Sequence, residues 1–155
     1  MRLWVWMGLF VAGLAAGCGG SEGPVAVHPV RGQVYYDGKP AAGVQVYFIP
    51  TSAPTVPRVP SNPHGVTAAD GTYELSTFGT KDGAAEGGYQ VVLHWPEPTP
   101  EGEEPSDTDK LLGWYGPVHS KLTAQVAAGS NTIPPYKLAA TSKPPGEVQG
   151  VPGKN

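Results

Sequence analysis

The sequence predicts an all-β domain, a single small sandwich of short strands with irregular ends, and three observations predict it. First, 22 Gly and 18 Pro stand among 155 residues. Few windows of ten residues escape a breaker, which excludes a helical bundle and the crossover helices of a doubly wound fold. Second, from Val30 onward apolar side chains recur at every second position, the period of a strand with one buried face. Third, Asp-Gly pairs at 37–38 and 70–71 punctuate those segments, and Gly tolerates the positive φ that tight turns between strands require.

The first segment runs Val30 to Tyr36, with Val30, Gly32, Val34 and Tyr36 on one face. After Asp37-Gly38, Val44 to Ile49 alternates again and Pro50 ends it. Residues 50–64 hold five prolines and no apolar period, which reads as an extended surface loop and a docking segment at most. Val66–Ala69 and Thr72–Phe78 flank Asp70-Gly71 and predict a hairpin. A Gly-rich connection from 79 to 88 leads to Tyr89–Trp95, where Tyr89, Val91, Leu93 and Trp95 alternate with Gln90, Val92 and His94.

Leu111–Tyr115 is an apolar patch with no assigned structure. Lys121–Val126 and Thr132–Leu138 complete the strands. Pro134 and Pro135 cannot donate to a ladder, so the last strand lies at a sheet edge. The expected core is Val34, Val44, Val46, Phe48, Tyr73, Leu75, Tyr89, Val91, Leu93, Leu122 and Val126. In outline, residues 1–17 form a signal peptide, 18–28 a flexible tether, 29–139 the sandwich and 140–155 a disordered tail.

The ends say where the protein resides. Arg2 is the one charge before the apolar run Leu3–Ala16, and Ala15, Ala16 and Gly17 lead into Cys18. A short positive start, an apolar stretch of this length and a small-residue exit describe a bacterial export signal. The run is short for a spanning helix and contains Gly8 and Gly13. Cys18 is the only cysteine, so no intramolecular disulfide forms. A lone thiol at the end of a signal, followed by Gly19, Gly20 and Ser21, resembles the lipobox of bacterial lipoproteins, with Ala15 where that pattern prefers Leu. The resemblance implies that Cys18 is diacylated and becomes the first residue, anchoring the domain to a membrane. Two or more acyl chains anchor stably where one does not. Gly19 after the cysteine favours outer-membrane sorting. The alternative is ordinary cleavage with a free thiol.

Without residues 1–17, nine basic and thirteen acidic residues remain, a formal charge of −4. Six acids (Glu97, Glu101, Glu103, Glu104, Asp107 and Asp109) share one stretch with Pro96, Pro98, Pro100 and Pro105. That composition stays extended and solvated, and its spacing does not match an EF-hand loop. No Lys/Arg patch stands out, which argues against a nucleic-acid partner.

Gly32-Gln33-Val34 with Asp37-Gly38-Lys39-Pro40 and Gly43-Val44-Gln45-Val46 resembles the opening of the carboxypeptidase regulatory-like domain. Thr67–Tyr73 and Gly87–Val92 extend the resemblance, which covers residues 29–138. It implies a seven-stranded prealbumin-like (transthyretin-like, Ig-like) Greek-key β-sandwich serving as an accessory, spacer or adhesion module.

Enzymes also use this sandwich. Intradiol dioxygenases hold iron with two Tyr and two His, but His28, His64, His94 and His119 do not reproduce the paired spacing and read as solvated. The C-terminal Val151–Asn155 lacks the Tyr-Arg-Gly-Ser ending of the transthyretin-like hydrolases, and no Ser sits in a nucleophile elbow. Lys39, Asn131 and Glu74 are weak candidates for an isopeptide bond. The sequence therefore predicts no enzyme, no cofactor and no metal site. A structural or binding role is expected, with envelope proteins or glycans as partners and Trp95, Trp114 and Tyr115 as candidate ligand-binding residues. Their rings can stack on sugar faces or cap the core.

Overall fold

The computed structural model describes residues 25–52, 62–99, 102 and 106–145, and all of its regular elements are strands. These are β1 (Val27–His28), β2 (Val30–Tyr36), β3 (Lys39–Pro40), β4 (Gln45–Pro50), β5 (His64–Val66) and β6 (Thr72–Glu74). They continue as β7 (Ala84–Ala85), β8 (Gly87–His94), β9 (Thr123–Val126), β10 (Asn131–Thr132) and β11 (Tyr136–Leu138).

Two sheets face each other. One is centred on β2, which pairs antiparallel with β3 and β6 on one side and parallel with β10 and β11 on the other. The second has the order β5-β4-β8-β9 and is antiparallel throughout. Taking β10 and β11 as one interrupted strand, and β1, β3 and β7 as two-residue flanking pieces, gives the seven strands of an all-β sandwich.

Alternation drives the packing. Val34, Tyr73, Tyr136 and Leu138 from the β2 sheet meet Val46, Phe48, Tyr89, Val91, Leu93 and Val126 from the other. Phe48 bridges the layers, its ring edge-on to Tyr73 at 6.5 Å and tilted against Tyr89 at 5.5 Å. Gly32 has to be glycine because a Cβ there would overlap the Tyr73 phenol. Of the expected core, Leu122 is only half-buried, while Ala84, Leu111, Ile133, Tyr136 and Leu138 join it.

Asp37 and Gly38 both take positive φ, 48° and 73°, in the turn that pairs Tyr36 with Lys39. The Asp70-Gly71 pair behaves differently. The expected hairpin forms only at its two ends and is splayed between them: β5 pairs with β4 while β6 pairs with β2, so the turn carries the chain from one sheet to the other. Ala68 N–H to Thr72 O (2.8 Å) and Gly71 N–H to Ala68 O (2.9 Å) close the turn itself, and the two segments pair again at His64 and Ser76. Gly71, φ 78°, lies so close to the Val34 carbonyl that any side chain would collide with it.

The ends are more ordered than the sequence suggests. The last two residues of the expected tether form β1 against β7, and the start of the expected tail, residues 140–145, belongs to the described structure. Cys18, the signal segment and most of the tether lie outside the described residues.

Candidate functional site

The aromatic residues singled out in the sequence collect at one pole, where β2 ends, β4 begins and β8 runs out into the long 95–122 connection. That connection is fastened step by step along the free edge of β8. Lys110 N–H donates to the Trp95 carbonyl (2.9 Å), Leu93 N–H to Tyr115 O (2.9 Å) and Val91 N–H to Leu122 O (2.9 Å). Ser120 Oγ donates to Val91 O, and the Gln90 amide donates to the carbonyls of Pro117 (3.0 Å) and Ser120 (3.1 Å).

Asp109 organises the base of the acidic stretch. Its Oδ1 accepts the N–H groups of Trp95 and Leu111, both at 3.0 Å, and its Oδ2 accepts that of Gly113 at 3.0 Å. With Asp109 committed to these donors, and Glu101, Glu103 and Glu104 outside the described residues, no acidic cluster is shown. The turn beyond Asp109 places Leu112 and Gly113 at positive φ, 55° and 78°, and so drops Leu111 into the core.

The three aromatic candidates differ in what they leave open. The Trp95 ring meets Tyr36 edge-on at 5.2 Å, carries the Lys110 ammonium 5.1 Å from its centroid and donates its Nε1–H to Ala42 O at 2.9 Å. Both its polar tip and its ring surface are therefore engaged. Tyr115 packs against the core. Trp114 is 39% exposed, but its Nε1–H donates to the Lys143 carbonyl at 2.7 Å, so the chain's own C-terminal segment occupies its polar tip. The pole thus has one open ring face instead of a three-ring platform.

The histidines lie apart. His28, expected in the tether, is partly buried, with Nδ1 accepting the Gly129 N–H at 3.2 Å and Nε2 facing Glu86 at 3.3 Å. His64 stacks on Tyr47 at 6.3 Å. Among the described residues no three His, Cys, Asp or Glu side chains gather as a metal site. Burial pushes the phenol of Tyr136 up to about 12, and that of Tyr73 further still, so both stay protonated at neutral pH. Lys39 and Asn131 sit at opposite ends of β2, opposite Tyr36 and beside Val30, about 20 Å apart at strand rise. Glu74 is paired with Lys81 at 2.6 Å. The isopeptide trio is not brought together.

Asp109 and Lys143 are the residues that sequence reasoning missed. An Asp that accepts the amides two and four residues ahead is a turn signature that could have been read. The carbonyl of Lys143 carries no sequence signal at all.

No family model matches the sequence, and no curated protein matches it. Several solved structures are similar in fold. One is a 9R-lipoxygenase from Cyanothece PCC8801, at 12% identity and TM-score 0.41, with 73% of this chain and 16% of that chain covered. Another is a DUF3823 family protein from Bacteroides ovatus ATCC 8483, at 16% identity and TM-score 0.36, covering 72% and 44%. A third is catechol 1,2-dioxygenase from Pseudomonas arvilla C-1, at 15% identity and TM-score 0.39, covering 81% and 56%. The chain spans well under two thirds of each of these proteins.

The expectation that the chain is no enzyme is corrected by this finding. A lipoxygenase and a catechol dioxygenase stand among the structures it is similar to. At TM-scores of 0.41 and 0.39 the likeness assigns no reaction.

Proposed function

We propose that this chain is a lipid-anchored cell-envelope protein whose sandwich serves a structural or binding role. The anchor is Cys18, at the end of an export signal and followed by a Gly-Gly-Ser opening. The observation that carries the reading is the place of the first strand. β1 lies at the pole where β4 ends and β8 starts, beside the turn that holds Gly129. Trp95 and Trp114 lie at the other pole.

Eight residues lie between Cys18 and Val27, so the extended chain reaches at most about 30 Å. A tether of that reach holds the β1 pole towards the membrane and turns the aromatic pole away from it. β1 is pinned by β7, and His28 by Gly129, so a pull on the tether falls on paired backbone. The resemblance to carboxypeptidase regulatory-like domains is supported by the two-sheet arrangement and points the same way, towards a module that holds or binds a neighbour.

The test is mass spectrometry of the mature N-terminus of protein purified from membranes. A diacylglyceryl mass on Cys18 is expected. An unmodified Cys18, or an N-terminus elsewhere, overturns the anchor.

A further inference from the structure

A groove of about 450 Å³ opens between the edges of the two sheets, away from the aromatic pole. Its origin is topological. β9 and β10 leave the same turn but belong to different sheets, so they diverge and open a wedge. Both ends of the wedge are fixed. At the apex the Asn131 side chain accepts the Ala127 N–H (2.9 Å) and donates to the carbonyls of Ala127 (2.9 Å) and Gly129 (2.8 Å). At the far end the Tyr136 hydroxyl donates to the Thr123 carbonyl at 3.1 Å. Tyr89 and Ile133, both nearly fully buried, line the interior.

The chemistry of the lining is narrow. Thr51, Thr123 and Thr132 bring hydroxyls and Gln125 a carboxamide, and no ionisable group other than the Tyr89 phenol lines the groove. Burial pushes that phenol's pKa up, and it donates to the Ala85 carbonyl at 2.8 Å, so it stays uncharged. Thr51 Oγ1 donates to Gly88 O at 3.0 Å and keeps its lone pairs to accept. Thr132 Oγ1 accepts from Arg31 at 3.1 Å and keeps its hydrogen to donate. The Gln125 amide and the Thr123 hydroxyl have no hydrogen-bond partner among the described residues. Pro134 adds a rigid apolar wall and has no N–H to offer a peptide strand. No cation lines the groove itself, and the one at its border, Arg31, is turned to the Thr132 hydroxyl; an apolar ligand would strip water from hydroxyls without replacing it.

A neutral ligand that both gives and takes several hydrogen bonds, with apolar C–H faces between them, meets all of these conditions, and the volume lies within the range of small-molecule pockets. We propose that the wedge between β9 and β10–β11 is a binding site for a neutral saccharide. The assignment rests on the binding half of the proposed function and is independent of the lipid.

The test is a titration of the full chain, in detergent free of glycosides, with chitotetraose, cellotetraose and maltotetraose, followed by backbone amide NMR. With at least one of them, millimolar sugar shifts the amides of Thr51, Gly88, Thr123, Gln125 and Thr132. Gln125→Ala weakens that binding about fivefold, the equivalent of one ordinary hydrogen bond. Thr51→Trp, on an exposed position, fills the groove and abolishes it. Shifts confined to the surroundings of Trp114, no shift with any of the three sugars, or tighter binding of a sulfated sugar overturns the proposal. Mass analysis of the same sample reports separately on Cys18.

Discussion

Asp109 reaches back fourteen residues to accept the Trp95 backbone N–H at 3.0 Å, and the same carboxylate holds the amides of Leu111 and Gly113. One side chain thereby closes the long loop, starts the turn that buries Leu111 and ends the β8 edge. A single substitution should therefore be felt at several places together.

Asp109→Ala leaves three backbone donors to water and is expected to cost roughly 2 kcal/mol. Urea unfolding followed by tryptophan fluorescence measures this, and Asp109→Asn, which keeps one acceptor oxygen, should fall between the two. Equal midpoints for the wild type and Asp109→Ala would show that the loop holds itself closed by other means.

Gly83 sits at φ 98° with the His28 carbonyl where a Cβ would be. Gly83→Ala should force β1 off β7 at a cost of about 1–3 kcal/mol. Faster amide exchange confined to β1 and β7 is the expected signature. Unchanged exchange there would mean that the tether is not pinned by this approach.

Burial opposes ionisation of Asp82, but its carboxylate accepts the N–H groups of Thr77 (2.7 Å), Phe78 (2.9 Å) and Gly79 (2.7 Å), which together hold its pKa below the ordinary 3.8. A carboxylate with a depressed folded pKa contributes stability above its unfolded pKa and loses it as pH falls through the folded value. Stability should therefore decline below about pH 4, and Asp82→Asn should flatten that part of the profile. The carboxylate is largely solvated, so the effect is small.

At the alkaline end the sign reverses. Burial raises the Tyr136 phenol to about 12, so its contribution is complete below pH 10 and is lost as pH climbs through the folded value. Tyrosinate absorbance and unfolding should rise together over that interval. Tyr136→Phe should uncouple part of the absorbance change while leaving the Thr123 carbonyl without its hydroxyl donor.

Trp114 donates to the Lys143 carbonyl at 2.7 Å, which fastens the segment after β11. Trp114→Ala should leave the sandwich within about 1 kcal/mol of wild type, since the ring lies at the surface, outside the buried core. Backbone relaxation over 140–143 should show the released segment moving faster. A large loss of global stability would instead make this tryptophan a core residue.

Much of the sandwich could be read from the chain because strand period and turn chemistry are local. Val44, Val46 and Phe48, or Tyr89, Val91 and Leu93, declare a buried face whatever they pair with, and Asp37-Gly38 declares a turn because its backbone needs positive φ. Pairing partners are not local. Nothing in Asp70-Gly71 says that its two flanks join different sheets, because that depends on β2 offering an edge to Thr72–Glu74 while β4 offers one to His64–Val66. What the three aromatic candidates leave open was illegible for a related reason: it depends on Ala42, Lys110 and Lys143, residues distant in the chain or bland in type. The wedge between β9 and β10 exists only because consecutive strands enter opposing sheets. Local preference determines which residues are strand and which are turn; the competition among edges for hydrogen bonds decides where the gaps between them lie.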